Sequence, residues 1–225
     1  FDPEDPLVVE ATRVDARAGG RVFVFDGGEG PGSVLQGFTI QGGYASTGGG
    51  GLRIISSSPS IRNCLIRNNS SEQLGGGVLV VGTSAPEFRQ CRIWRNRARA
   101  NGGGVACQDD SRAVFRNCSI HNKEVERGNG GGLHLVGVAE VLAENCVFDR
   151  NYTAIDGAAV YAWEANVSFV NCTFTQNLAL GKGGGVHAVA GAVVDLTNCI
   201  LWENAGVVGG PGLAISPGSV VSVQY

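Results

Sequence analysis

Seven cysteines, three histidines and a run of arginines are the residues here whose types and spacing admit chemistry. Six of the cysteines, Cys64, Cys91, Cys118, Cys146, Cys172 and Cys199, recur at intervals of 26 to 28 residues. Thiols in such a series invite disulfide pairing or metal ligation. His134, Tyr161 and His187 recur at the same interval, with Trp163 two positions after Tyr161 and Gln108 in the matching slot of an earlier repeat. A histidine base beside a tyrosine acid is a pairing that serves proton abstraction from a uronic acid. Arg62, Arg89 and Arg116 share one slot in three successive repeats, and Arg92 and Trp94 lie close by. Guanidinium groups interleaved with an indole suit an anionic polymer.

The elements that must position these groups follow from the repeat. Gly49-Gly50-Gly51-Leu52, Gly75-Gly76-Gly77-Val78, Gly102-Gly103-Gly104-Val105, Gly130-Gly131-Gly132-Leu133 and Gly183-Gly184-Gly185-Val186 open successive copies, and Gly157-Ala158-Ala159-Val160 opens a degenerate one. The apolar residue after each opening falls at the same 26 to 28 residue interval as the cysteines, so two markers fix one register. Within residues 183–209, Val186 and Ala188, then Val194 and Leu196, then Cys199 and Leu201 alternate with outward positions. A period of two in three short runs gives three strands per copy, and no run has a useful helical period. Copies of that form wind into a coil whose equivalent strands stack in parallel, with a rise of about 4.8 Å per rung. The handedness of parallel crossovers makes the coil right-handed.

Asn63, Asn117, Asn145, Asn171 and Asn198, with Gln90 in one copy, precede the cysteines where the inward phase breaks. A left-handed residue makes such a bend, and asparagine tolerates that conformation. A second series, Asn69, Asn96, Asn151, Asn177 and Asn204, follows the third strand. The third copy departs from it, with Asn122 one position early and Lys123 in the slot. Stacked amides can hydrogen-bond along the coil axis.

This framework decides several of the chemical readings. Cysteines stacked in parallel keep their Cβ atoms about 4.8 Å apart, wider than the ~3.8 Å of a disulfide, and a line of thiols does not converge on a metal. They read as buried fillers, and Cys107 as core too. Asp109-Asp110 reads as a turn. No metal or cofactor is implied. The charge is uneven: residues 1–52 are net −4, residues 53–127 are net +6 and residues 128–225 are net −5. Nucleic acid is disfavoured, because the whole chain is acidic and carries no nucleic-acid motif. No apolar run reaches transmembrane length.

The Gly-Gly-Gly-Val openings and the closings Phe148-Asp149-Arg150-Asn151, Phe174-Thr175-Gln176-Asn177, Ile93-Trp94-Arg95-Asn96 and Leu201-Trp202-Glu203-Asn204 resemble the right-handed parallel β-helix repeats of secreted bacterial proteins, the pectin-lyase-like fold. In pattern they are similar to polymorphic outer-membrane proteins and related surface proteins. The resemblance implies an all-β solenoid of three parallel sheets, a bacterial extracellular or cell-surface location, and a carbohydrate site on the outward face of the first sheet. That face holds His134, Tyr161 and His187, with Trp163 and Gln108 beside them.

The expected organisation is a single domain over 1–225, a segment of a longer protein. Diverged coils occupy 1–48, six regular coils occupy 49–208, and a partial coil occupies 209–225. Residues 8–14 are expected to end a still earlier coil, and neither terminus shows a capping helix. The expected function is a non-catalytic module for binding, adhesion or envelope structure, with a polysaccharide or a surface protein as partner. A lyase acting on acidic polysaccharide is the alternative, and a docking subunit of a larger assembly is another. Catalytic candidates are His134, Tyr161 and His187. Ligand-binding candidates are Trp163, Gln108, Arg62, Arg89, Arg116, Arg92 and Trp94.

Overall fold

The computed structural model describes residues 2–121 and 123–225; Asn122 lies outside the described residues. The chain winds into a parallel β-solenoid of about eight rungs. Sheet 1 runs from Phe23–Phe25 through Leu52–Ile55 to Leu213–Ile215, sheet 2 from Val34–Gln36 to Val220–Gln224, and sheet 3 from Arg13–Asp15 through Thr39–Gln41 to Ile200–Trp202. Each of the three has eight strands. Their registers follow the glycine and cysteine markers, for example Val186 against Leu213 and Val160 against Val186.

A fourth parallel sheet of seven two-residue strands, Tyr44–Ala45 to Ala205–Gly206, corrects the expectation of three. Two residues cannot display a period of two, so this sheet has no sequence pattern of its own. The N-terminus is a second correction. Residues Pro6–Ala11 form a helix rather than strand, and only Arg13–Asp15 supplies the earlier rung, paired with Thr39–Gln41. The side chain of Asp5 accepts from the Leu7 N–H at 2.9 Å and Pro6 occupies the first turn, both helix-start signals. Val9 is buried at that end, and its carbonyl accepts from the Thr39 hydroxyl at 2.8 Å.

The bends form as the residue types require. Asn63, Gln90, Asn117, Asn145, Asn171 and Asn198 all have φ between +47° and +53°. The glycine turns pack backbone on backbone: a Cβ on Gly76 would lie 2.2 Å from the Arg97 carbonyl oxygen. Inside, Phe148 stacks on Phe174 at 4.9 Å, and Phe88 on Phe115 at 4.9 Å. The cysteines are free; all are buried except Cys199, which is partly exposed. Each Sγ of the column lies near two carbonyls, as Cys172 does to Ala143 at 3.3 Å and Val170 at 3.4 Å. Burial pushes the Cys107 thiol up to about 12. Because the other six thiols are shut away from solvent, a thiol reagent added to the folded protein is expected to modify at most Cys199 within minutes, and all seven thiols after denaturation. Rapid reaction of several native thiols, counted by mass, would contradict the buried column.

The second asparagine series is a buried ladder. The amide Nδ2 of Asn69 donates to Asn96 Oδ1 at 3.0 Å, that of Asn151 to Asn177 at 2.9 Å, and that of Asn177 to Asn204 at 2.8 Å. Each also donates inward to a carbonyl about one coil back, Asn177 to Phe148 at 2.9 Å. Lys123 interrupts the ladder. It is buried, its amine has no hydrogen-bond partner among the described residues, and neither does Asn151 Oδ1. Burial holds this amine well below the ordinary lysine value, with Asp149 pulling weakly the other way. No helix among the described residues is long and apolar enough to cross a membrane.

Candidate binding face

Sheet 1 places His134, Tyr161 and His187 on successive rungs, in register. The rings form one column: His134 stacks on Tyr161 at 5.5 Å, and Tyr161 meets His187 edge-on at 5.7 Å. The column is not an open face. His134, Tyr161 and His187 are 4%, 6% and 4% exposed, because the glycine turn of each coil lies directly over them. A Cβ on Gly130 would sit 2.8 Å from His134 Cβ, and one on Gly183 would sit 2.7 Å from His187 Cβ. Only a backbone without side chains fits this closely. Burial pushes the His134 imidazole down to about 4 and the Tyr161 phenol up. The column beside it is more open: Trp163 is exposed, and Gln108 is half-buried one rung before Val136. Asp109 sits in a left-handed turn and accepts from the Gly82 N–H at 3.3 Å.

The arginine series lies elsewhere. Arg62, Arg89 and Arg116 form a column on sheet 2. Arg89 lies 2.8 Å from Glu87, and Arg116 lies 3.2 Å from the same carboxylate and pairs also with Glu144. Nearby, Arg97 pairs with Glu126, Arg99 with Glu72 and Arg112 with Glu140. Much of the positive band is thus neutralised by its own neighbours, which a count of charges along the chain does not reveal.

Arg92 and Arg95 are different. Both are exposed on sheet 3 or its exit turn, and neither has an acidic partner among the described residues. Between them stands the half-buried Trp94. Arg95 lies over its ring at 4.6 Å and Arg67 of the preceding coil at 5.6 Å. His121 of the next coil stacks on it at 5.9 Å with planes 6° apart. Arg67, Trp94 and His121 are a single outward column, aligned by the parallel register. Burial holds His121 below its usual range, and Asp149 lies 3.9 Å from its Nδ1. The indole Nε1 is buried and has no partner among the described residues.

Of the ligand candidates, then, Arg92 and Trp94 come together, with Arg95, Arg67 and His121 joining them. Arg62, Arg89 and Arg116 share a separate column around the coil corner. Arg67 and His121 are legible in sequence as the residues one repeat either side of Trp94, although neither carries a motif.

The family description right handed beta helix region matches residues 19–174 and 97–223. No curated protein and no solved structure gives a significant match.

Proposed function

The chain belongs to the right-handed β-helix family, and from that premise we propose a secreted or cell-surface binding module. Its ligand face is the Arg92–Trp94–Arg95 corner, flanked by Arg67 and His121. The observation that carries this reading is the contrast in charge pairing: Arg89, Arg97, Arg99, Arg112 and Arg116 have carboxylate partners, whereas Arg92 and Arg95, like Arg62, have none among the described residues, and the Arg95 guanidinium lies over an indole. Desolvated guanidinium–carboxylate or guanidinium–sulfate contacts are the strong ones, and an aromatic face adds stacking on a sugar ring. A sulfated or uronic polysaccharide fits both. The resemblance to bacterial surface repeats is consistent with that role.

The lyase alternative receives less support, because the rings it would use are covered by the glycine turns. A panel of uronate polysaccharides is accordingly expected to yield no new absorbance from unsaturated products.

A glycan array read at two salt concentrations tests the binding reading. Anionic glycans are expected to give signal at low salt that falls at high salt, and Trp94→Ala is expected to weaken it about tenfold. An array with no preference for anionic glycans, or one indifferent to salt, would remove the reading.

A further inference from the structure

One imidazole of the buried column has partners on both sides that the other lacks. His187 Nε2 lies 3.1 Å from the Ser216 hydroxyl oxygen. On the opposite side, Asp156 Oδ2 lies 3.4 Å from His187 Nδ1. The other oxygen of Asp156 is held by the Lys182 backbone N–H at 2.6 Å. The parallel stack itself sets the order, because Asp156, His187 and Ser216 lie on three consecutive coils with the imidazole in the middle. From this juxtaposition we propose that Ser216 is a nucleophile, with His187 as its base and Asp156 orienting the imidazole, and that it cleaves acyl esters.

The repeat provides an internal comparison. His134 occupies the same slot two coils earlier, in register through Tyr161. The residue before the preceding glycine turn is there Asn101, not an aspartate, and the slot matching Ser216 holds Trp163. His134 Nδ1 has no partner among the described residues. The same scaffold thus builds a stacked ring in one place and a relay in another.

The imidazole is in the state the chemistry needs. Burial holds the His187 imidazole below its usual value, against the opposing pull of Asp156, so the neutral ring accepts a proton. The 3.4 Å contact with Asp156 does not have hydrogen-bond alignment. Unliganded sites often show such loose contacts, which tighten when substrate binds. Ser216 is partly exposed, whereas His187 is buried behind it. Val189, and then Trp163, continue the Ser216 column along sheet 1 and offer an apolar strip to an acyl or leaving group.

The steps balance without a cofactor. The Ser216 oxygen attacks the acyl carbon while its proton passes to His187 Nε2. The tetrahedral adduct collapses, the ester C–O bond breaks, and the leaving alkoxide takes the proton from Nε2 as the free alcohol. Water, deprotonated by His187, then attacks the acyl-serine, releasing the carboxylic acid and restoring the hydroxyl.

A fluorophosphonate probe incubated with the intact chain, followed by peptide mapping, tests the assignment. The expected result is one adduct, on Ser216, and hydrolysis of p-nitrophenyl acetate that the probe abolishes. His187→Gln is expected to slow labelling at least tenfold, and Asp156→Asn several-fold, with both variants keeping the wild-type circular dichroism. No adduct on Ser216 in the folded wild-type protein would overturn the proposal, a result that depends on no variant folding. Labelling of folded His187→Gln at the wild-type rate would overturn it equally.

Discussion

Replacing Lys123 with asparagine is expected to raise the melting temperature by about 5–10 °C, a large gain for a single change in a chain of this size. The gain has two sources. The substitution removes a buried amine without a partner among the described residues, and it returns an amide to a slot that holds asparagine in the neighbouring coils. Asn151 Oδ1, now unsatisfied, regains a donor. By the spacing of the other rungs, the new amide also reaches the carbonyl of Ile93. Each buried group brought back into a hydrogen bond contributes about 1–3 kcal/mol.

Two controls separate these sources. Lys123→Met removes the amine without mending the ladder, so a smaller gain is expected. The second control is pH. The folded site holds Lys123 below its ordinary value of 10.5, so as pH falls below 10.5 the unfolded chain takes up a proton that the folded site refuses. Wild-type stability is lost over that descent until the folded site itself titrates. The advantage of Lys123→Asn should therefore grow between high pH and neutrality. Differential scanning calorimetry at the two pH values measures it, and a gap that ignores pH would show that the amine is not buried as described.

The opposite change in the same ladder has the second large effect. Asn177→Ala is expected to cost about 3–5 kcal/mol, read as a lower denaturation midpoint in urea. The Asn177 amide donates to Phe148 and Asn204, and its oxygen accepts both the backbone N–H and the side chain of Asn151 at 3.0 and 2.9 Å. Truncation strands all of these groups in the interior. Asn177→Asp keeps the shape and the acceptor but turns a negative oxygen toward the Phe148 carbonyl and Asn204 Oδ1, so it should cost at least as much. A near-neutral result for both variants would mean the ladder is ornamental.

The repeat made the solenoid readable because three residue types each answer one physical need. Asparagine before cysteine accepts positive φ, glycine accepts a backbone at contact distance, and cysteine fills a small inward slot. These needs are local, and a spacing of about 27 residues displays them. Other features depend on what the coil brings together. The fourth sheet is too short to show a period. The helix at Pro6–Ala11 was signalled by Asp5 and Pro6, but a single turn beside a strand pattern reads as more strand. The burial of His134, Tyr161 and His187 required knowing that the glycine turn folds back over sheet 1. Arg89 and Arg116 looked like the centre of a positive band, and Glu87 and Glu144, brought in by the register, neutralise them. Trp94 stands out by type, while Arg67 and His121 are marked in sequence only by lying one repeat either side of it.

That difference between charge in sequence and charge in space separates two arginine pairs on either side of the corner between sheets 2 and 3. Isothermal titration with a sulfated polysaccharide at low ionic strength should compare Arg92→Gln/Arg95→Gln with Arg89→Gln/Arg116→Gln. The unpaired arginines beside Trp94 are predicted to carry the binding, so the first double variant should lose at least tenfold in affinity while the second stays within about twofold of wild type. Equal losses in both, or a loss confined to Arg89 and Arg116, would contradict the assignment of the Trp94 corner as the ligand face.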